Sequence, residues 1–257
     1  MSDELVHLEV AGGTATVTLD SPTNRNALSR QVRSELRDRL DSALADDDVR
    51  VVVLTHTGPV FCSGMDLKQA RGSAAGDQGI NEFPALLEAL WLSPKPVVAR
   101  LAGSARAGGV GLVAACDIAL AADTVSFAFT EVRLGIVPAV ISVPVLPRLL
   151  ARAAHELFLT GEVFDAARAV QVGLLNRCVP ADELDAEVAR YARMLALGSP
   201  AALAATKQLL TAATAGSFAA ELAVASEVSA RYFASDDGQE GIAAFAQKRP
   251  ARWVPVP

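Results

Sequence analysis

The chain has 257 residues, 51% hydrophobic and 20% charged, with a formal net charge of −6. That length lies near the upper size of one hydrophobic core; the composition excludes a disordered polymer and offers no global attraction to nucleic acid, so an anionic ligand must be met by a local cluster. The longest apolar stretches, 97–122 and 134–150, are broken by Arg100, Arg106, Asp117, Pro138, Pro144 and Pro147, and no membrane span is expected.

The acidic opening, MSDELVHLEV, lacks the basic-then-apolar order of a secretory signal and reads as mature, cytoplasmic sequence. Alternating residues in Leu5–Ala11 and Thr14–Asp20 around Gly12-Gly13 predict a β-hairpin. Ser29 can cap a helix whose apolar face is Val32, Leu36, Leu40 and Leu44, and a strand at Arg50–Thr55 follows. A helix near Asn81–Leu92 and a strand at Pro96–Leu101 continue this α/β layering. Short apolar runs then predict a helix near Gly108–Ala115 and strands near Ile118–Ala121 and Ser126–Phe129, buried on both faces. From Ala151 helical patterns dominate, with start signals at Asp165, Asp182 and Ser199-Pro200. No internal repeat or linker is visible. The expected division is a core at 1–181 carrying the site and a helical region at 182–257. Cys62, Cys116 and Cys178 are too widely spaced for a metal pair and read as reduced thiols.

Two glycine-bearing segments each follow a predicted strand and lead toward a helix: 61–68 (FCSGMDLK) and 103–111 (GSARAGGVG). Glycine lets backbone N–H groups approach a ligand, and free N–H groups at a helix start favour negative charge, so the pair could aim two donors at one oxygen. Either segment alone is also an ordinary tight turn. Residues 109–114 (GVGLVA) can be read as a dinucleotide-binding turn with Glu131 as ribose ligand, but the long loop after Leu101 and the helix end at Asp117 argue against that context. No G-x-S-x-G elbow is present, and His155-Glu156 lacks the second histidine of a zinc motif.

Five stretches in order, 24–28 (NRNAL), 61–68, 102–117, 126–138 and 240–249 (EGIAAFAQKR), together resemble the enoyl-CoA hydratase/isomerase, or crotonase, family. The resemblance implies an α/β spiral of ββα units with a C-terminal helical trimerisation region, and hence a homotrimer or dimer of trimers. It also implies an acyl-CoA thioester as substrate, with coenzyme A belonging to that substrate and no separate cofactor or metal. By position, the N–H groups of Met65 and Gly108 resemble the oxyanion-hole pair. Asn26, Ala27, Ser63, Asp66 and Leu67 resemble positions lining the CoA arm and adenine. Phe245 and Lys248 resemble CoA contacts that can reach across to a neighbouring subunit. Glu131 matches the second of the two catalytic glutamates of typical hydratases.

The first of those glutamates falls on Gly111, which leaves Glu131 as the one matched acid–base group. Residues 138–142 (PAVIS) stand where many members have a glycine-rich turn; with Gly111, they resemble the branch of methylglutaconyl-CoA and carboxygeranoyl-CoA hydratases. Hydration of an enoyl-CoA is thus the expected reaction, with a branched or carboxylated acyl group in view. The alternatives are double-bond isomerisation, an inactive acyl-CoA-binding homologue and the dinucleotide-dependent oxidoreductase. Residues 71–83 and 139–146 are expected pocket walls, and Arg106 is either a partner for a substrate carboxylate or a solvent-facing arginine.

Overall fold

The computed structural model describes residues 4–70 and 82–254. The expected hairpin forms: β1 (Val6–Ala11) pairs antiparallel with β2 (Thr14–Leu19), and Gly12 and Gly13 turn the chain at φ +57° and +79°. Both positions need the left-handed region, which glycine enters without a Cβ penalty. Helix α1 (Arg30–Ala45) starts at Ser29, whose hydroxyl accepts the Val32 N–H at 3.2 Å, and buries Val32, Leu36, Leu40 and Ala43.

The chain then runs through β3 (Val51–His56), β4 (Val60–Cys62), α2 (Leu67–Ala70), α3 (Glu82–Trp91), β5 (Val97–Leu101), β6 (Ser104–Arg106) and α4 (Gly108–Ala115). It continues with β7 (Ile118–Ala122), β8 (Ser126–Ala128), a 3-10 turn at Glu131–Leu134, α5 (Ala139–Val145), α6 (Ala151–Thr160), β9 (Phe164–Asp165), α7 (Ala166–Gln171) and β10 (Arg177–Val179). Helices α8 (Leu184–Ala196), α9 (Pro200–Phe233) and α10 (Asp236–Ala246) complete it.

The larger sheet has the order β1-β2-β3-β5-β7-β10, parallel from β2 onward, and the smaller sheet the order β4-β6-β8-β9. Each of the pairs β3–β4, β5–β6 and β7–β8 gives its first strand to the larger sheet and its second to the smaller one. This is a winding of ββα units, a repeat that the sequence does not display because only its geometry recurs. β3 is buried along its whole length, as a strand covered on both faces must be. The short α4 does complete a parallel crossover from β5 to β7, contrary to the expectation that the helix ends too early, because the connection also passes through β6.

The helices after Asp182 are not detached from this core. Lys207 on α9 donates to Asp117 Oδ2 at 2.7 Å and to the Leu90 carbonyl at 3.1 Å, and Phe218 stacks on Trp91 with centroids 4.9 Å apart. The apolar side chains of α9 divide: Leu222 is buried, whereas Leu209, Leu210 and Val224 are exposed. Asp165 caps α7 as expected, through the Arg168 N–H at 2.7 Å, but Asp182 does not cap α8, which starts after Glu183 with no side-chain cap. No described helix is long and apolar enough to cross a membrane.

Candidate active site

A cleft of about 1200 Å³ runs between the ends of the smaller sheet, α5 and α10. Met65, Gly108 and Glu131, drawn from segments far apart in sequence, all line it.

The two proposed donors are brought together by a backbone clasp. Leu28 donates its N–H to the Gly64 carbonyl at 2.8 Å and bridges to Met65, while the buried Arg33 guanidinium holds the Leu28 carbonyl at 2.5 Å. Gly64 has φ +89°, and a Cβ there would lie 2.9 Å from Ala107 Cβ and 3.2 Å from the Gly108 nitrogen. A side chain at position 64 would therefore push the two donor segments apart. Gly108 is the first residue of α4, preceded by Ala107 at φ +47°. A non-glycine residue in that region costs about 1–3 kcal/mol and persists only where its surroundings hold it; here the Ala107 N–H donates to the Ala128 carbonyl at 3.1 Å. Among the described residues, neither the Met65 nor the Gly108 N–H donates to a protein acceptor. Two free donors on touching backbone segments, one at a helix start, suit a developing oxyanion.

Glu131 opens the 3-10 turn after β8. The residue is 6% exposed, and its Oε2 is buried without a hydrogen-bond partner. Loss of water pushes its pKa up to about 7, only partly opposed by its own backbone N–H. Such a group exchanges protons readily near neutrality. Gly111, where the resemblance places a second carboxyl, is buried in α4; a Cβ on it would lie 2.6 Å from Ile141 Cγ2 and 3.5 Å from Phe83 Cζ. Ile141 thus occupies the room that a side chain at 111 would need.

Of the residues expected to line the CoA arm, Ala27, Ser63, Asp66 and Leu67 stand in the cleft wall. Asp66 accepts the Asn24 side-chain amide at 3.0 Å and the Lys68 N–H at 3.0 Å, which starts α2. Asn26 does not stand in that wall. Its side chain is wholly buried, with Oδ1 accepting the Ser21 N–H at 2.7 Å and Nδ2 donating to the carbonyls of Thr57 and Val60 at 3.0 and 2.7 Å. That amide staples the left-handed turn at Arg25 and Asn26, with both of its N–H donors spent on the chain's own carbonyls. Phe245 and Lys248 lie in the wall of their own chain's cleft, together with Arg249.

Arg106 is half-buried in the cleft wall, with part of its guanidinium engaged. Its guanidinium donates to the carbonyls of Ala105 and Ser126 at 2.8 and 2.6 Å and to the Ser126 hydroxyl at 2.8 Å. Of the expected pocket walls, residues 71–81 lie outside the described residues, whereas Phe83, Ala139, Val140 and Ile141 line the cleft. Sequence reasoning overlooked Arg25, Ile136 and Phe233, which also line it. Arg25 and Ile136 lay inside the matched stretches 24–28 and 126–138, whereas Phe233, from the second hydrophobic cluster, had no signal. Gly109 and Gly111 sit inside α4, not in the turn before it, with the Gly109 Cβ position 2.4 Å from the Cys62 carbonyl oxygen. These glycines serve close packing, which removes the dinucleotide reading. Among the described residues no cluster of three His, Cys, Asp or Glu is placed to hold a metal ion.

The sequence pattern of the enoyl-CoA hydratase/isomerase family matches residues 9–255. The mitochondrial enoyl-CoA hydratase domain-containing protein 3 of Rattus norvegicus is 35% identical over 94% of this chain and 81% of its own. The crystal structure of an enoyl-CoA hydratase from Mycobacterium avium is 45% identical, with a TM-score of 0.90 over 98% of this chain and all of that one. One from Mycobacterium smegmatis is 30% identical, with a TM-score of 0.79 over 98% of this chain and 99% of that one.

Proposed function

Because this chain belongs to the enoyl-CoA hydratase/isomerase family, we propose that its cleft binds an α,β-unsaturated acyl-CoA and adds water across C2=C3, with Glu131 as the acid–base group. The observation that carries this reading is the buried Glu131 carboxyl, whose Oε2 has no partner, in one cleft with two free backbone donors.

Glu131 takes a proton from water as the oxygen bonds to C3, and the π electrons move onto the thioester oxygen. The Met65 and Gly108 N–H groups hold that enolate; one such donor is worth about 2.7–4 kcal/mol elsewhere. The protonated Glu131 then returns its proton to C2, and the water is fully accounted for. No oxidant or metal is needed for this balance.

Phe245 and Lys248 supply apolar surface and charge for the nucleotide end of the substrate. The exposed Leu209, Leu210 and Val224 on α9 support assembly as a trimer or dimer of trimers.

One observation favours a second reading, double-bond isomerisation: the filled space at Gly111 leaves no second carboxyl there to hold the water, and moving a proton between carbons needs only one base. Incubating matched 2-enoyl and 3-enoyl thioesters in 18O-labelled water separates the two. Label at C3 of a 3-hydroxyacyl product supports hydration, whereas conversion of the 3-enoyl to the 2-enoyl thioester without label installs isomerisation in its place. Tight binding with no turnover of either would identify an inactive binding homologue.

A further inference from the structure

The turn that carries Glu131 rests directly on the backbone of α10. A Cβ on Gly241 would lie 2.1 Å from the Leu134 carbonyl oxygen and 2.4 Å from its carbon, so α10 and the 3-10 turn are in backbone contact where Gly241 has only hydrogens. From the other side, a Cβ on Gly135 would lie 2.4 Å from the Asp237 carbonyl oxygen. Gly135 has φ +68°, and its N–H closes the turn onto the Val132 carbonyl at 3.4 Å. Ile136, Phe233 and Ile242 pack around this seam as an apolar cluster separate from the main core, and the Ile136 N–H donates to the Glu131 carbonyl at 3.1 Å. The same short helix carries Phe245 near its far end, with Lys248 just beyond it, both in the cleft wall.

We infer that α10 is the positioning element for Glu131, and that occupation of its far end by the nucleotide half of the thioester fixes the turn through the Gly135–Gly241 seam. The inference rests on the acyl-CoA reading above. The physical basis is that two backbones in contact cannot shift independently, whereas two elements separated by side chains can adjust their rotamers. Binding energy from a remote part of the substrate is in this way spent on the placement of the reacting group and shows in kcat, not only in KM. Gly241 is accordingly a positioning residue and touches no reacting atom.

The test compares an enoyl-CoA with the same acyl group on pantetheine, which lacks the nucleotide, in the unmodified protein, with and without saturating 3′,5′-ADP. Removing the nucleotide lowers kcat by about 10- to 100-fold, the scale of a misplaced catalytic group, and the free nucleotide restores part of that loss in trans. In Gly241→Ala, checked for folding by circular dichroism, kcat for the full thioester falls while KM changes little, and the rescue by nucleotide disappears. A truncated substrate that differs in KM alone, or a saturably bound nucleotide that gives no rescue, overturns the inference even if Gly241→Ala does not fold. Rescue of equal size in a folded Gly241→Ala overturns it as well. Absence of turnover with either thioester would instead strike the proposed reaction, and the inference with it.

Discussion

Replacing Gly111 by alanine asks whether Ile141 really fills the place that a second acid–base group would need. The added Cβ would sit 2.6 Å from Ile141 Cγ2 and 3.1 Å from its Cβ, on a helix buried along its whole length. Inserting a methyl group into such packing costs about 1–3 kcal/mol. Relief of glycine's backbone entropy in a helix returns about 0.5–1 kcal/mol, so Gly111→Ala should destabilise by about 1–2 kcal/mol. Ile141→Ala alone leaves a cavity and costs about 2–5 kcal/mol. In the double variant the 2.6 Å approach vanishes because Cγ2 is gone, and the new methyl fills part of the cavity. The double variant should therefore be about as stable as Ile141→Ala or better, with a favourable coupling of about 1–2 kcal/mol. Urea denaturation of the four proteins measures this cycle. Additivity within about 0.5 kcal/mol, the behaviour of independent sites, would refute the claim that the two positions compete for one space.

Four further outcomes follow from the same structure. A folded Gly108→Pro variant should lose a large part of its turnover, since proline has no N–H for the oxyanion; steady-state kinetics with an undiminished rate would remove Gly108 from the site. Burial holds the Glu131 pKa up to about 7, so the folded state keeps a proton that the unfolded chain releases, and stability falls as pH rises from the ordinary glutamate range to about 7. Glu131→Gln should consequently be more stable than the parent by about 3 kcal/mol at pH 8 and lose that advantage near pH 4; denaturation curves with a pH-independent difference would contradict this. Lys248→Ala together with Phe245→Ala should weaken CoA binding in calorimetry, whereas unchanged affinity removes both residues from the nucleotide end. Solution scattering at micromolar concentration should show a trimer or larger, and a monomer would leave the exposed Leu209, Leu210 and Val224 without a partner surface.

The parts of this fold with a strong local pattern were legible in the sequence. The Gly12-Gly13 turn, the Ser29 cap and the four-residue spacing of α1 each have a local cause, and each stands where expected. The Met65, Gly108 and Glu131 cleft was also foreseen, through ordered motifs and not through periodicity, since no local rule relates residues 65, 108 and 131. The three-residue strands β4 and β6 escaped, being too short to alternate and defined only by pairing with distant segments. The buried side chain of Asn26 was not legible, because an asparagine in such a motif can serve a ligand or its own backbone, and only the distances to Ser21, Thr57 and Val60 show it holding its own backbone. Ile141, Gly135 and Gly241 all lay in stretches that the sequence singled out, but the Ile141–Gly111 contact and the Gly135–Gly241 seam were not legible, because close approach between distant elements leaves no mark on the residues around it.

The central claim is that one carboxyl, Glu131, performs the acid–base chemistry. Its most direct test is the turnover of Glu131→Gln on an enoyl-CoA that the parent converts, measured alongside acyl-CoA affinity and the parent's pH profile. The amide keeps the shape and cannot accept a proton, so binding should persist while the rate falls by at least about 10²-fold, and the parent's rate should decline as pH drops through about 7, where this carboxyl protonates. A Glu131→Gln protein that turns substrate over at the parental rate would contradict the account and move the chemistry to another group.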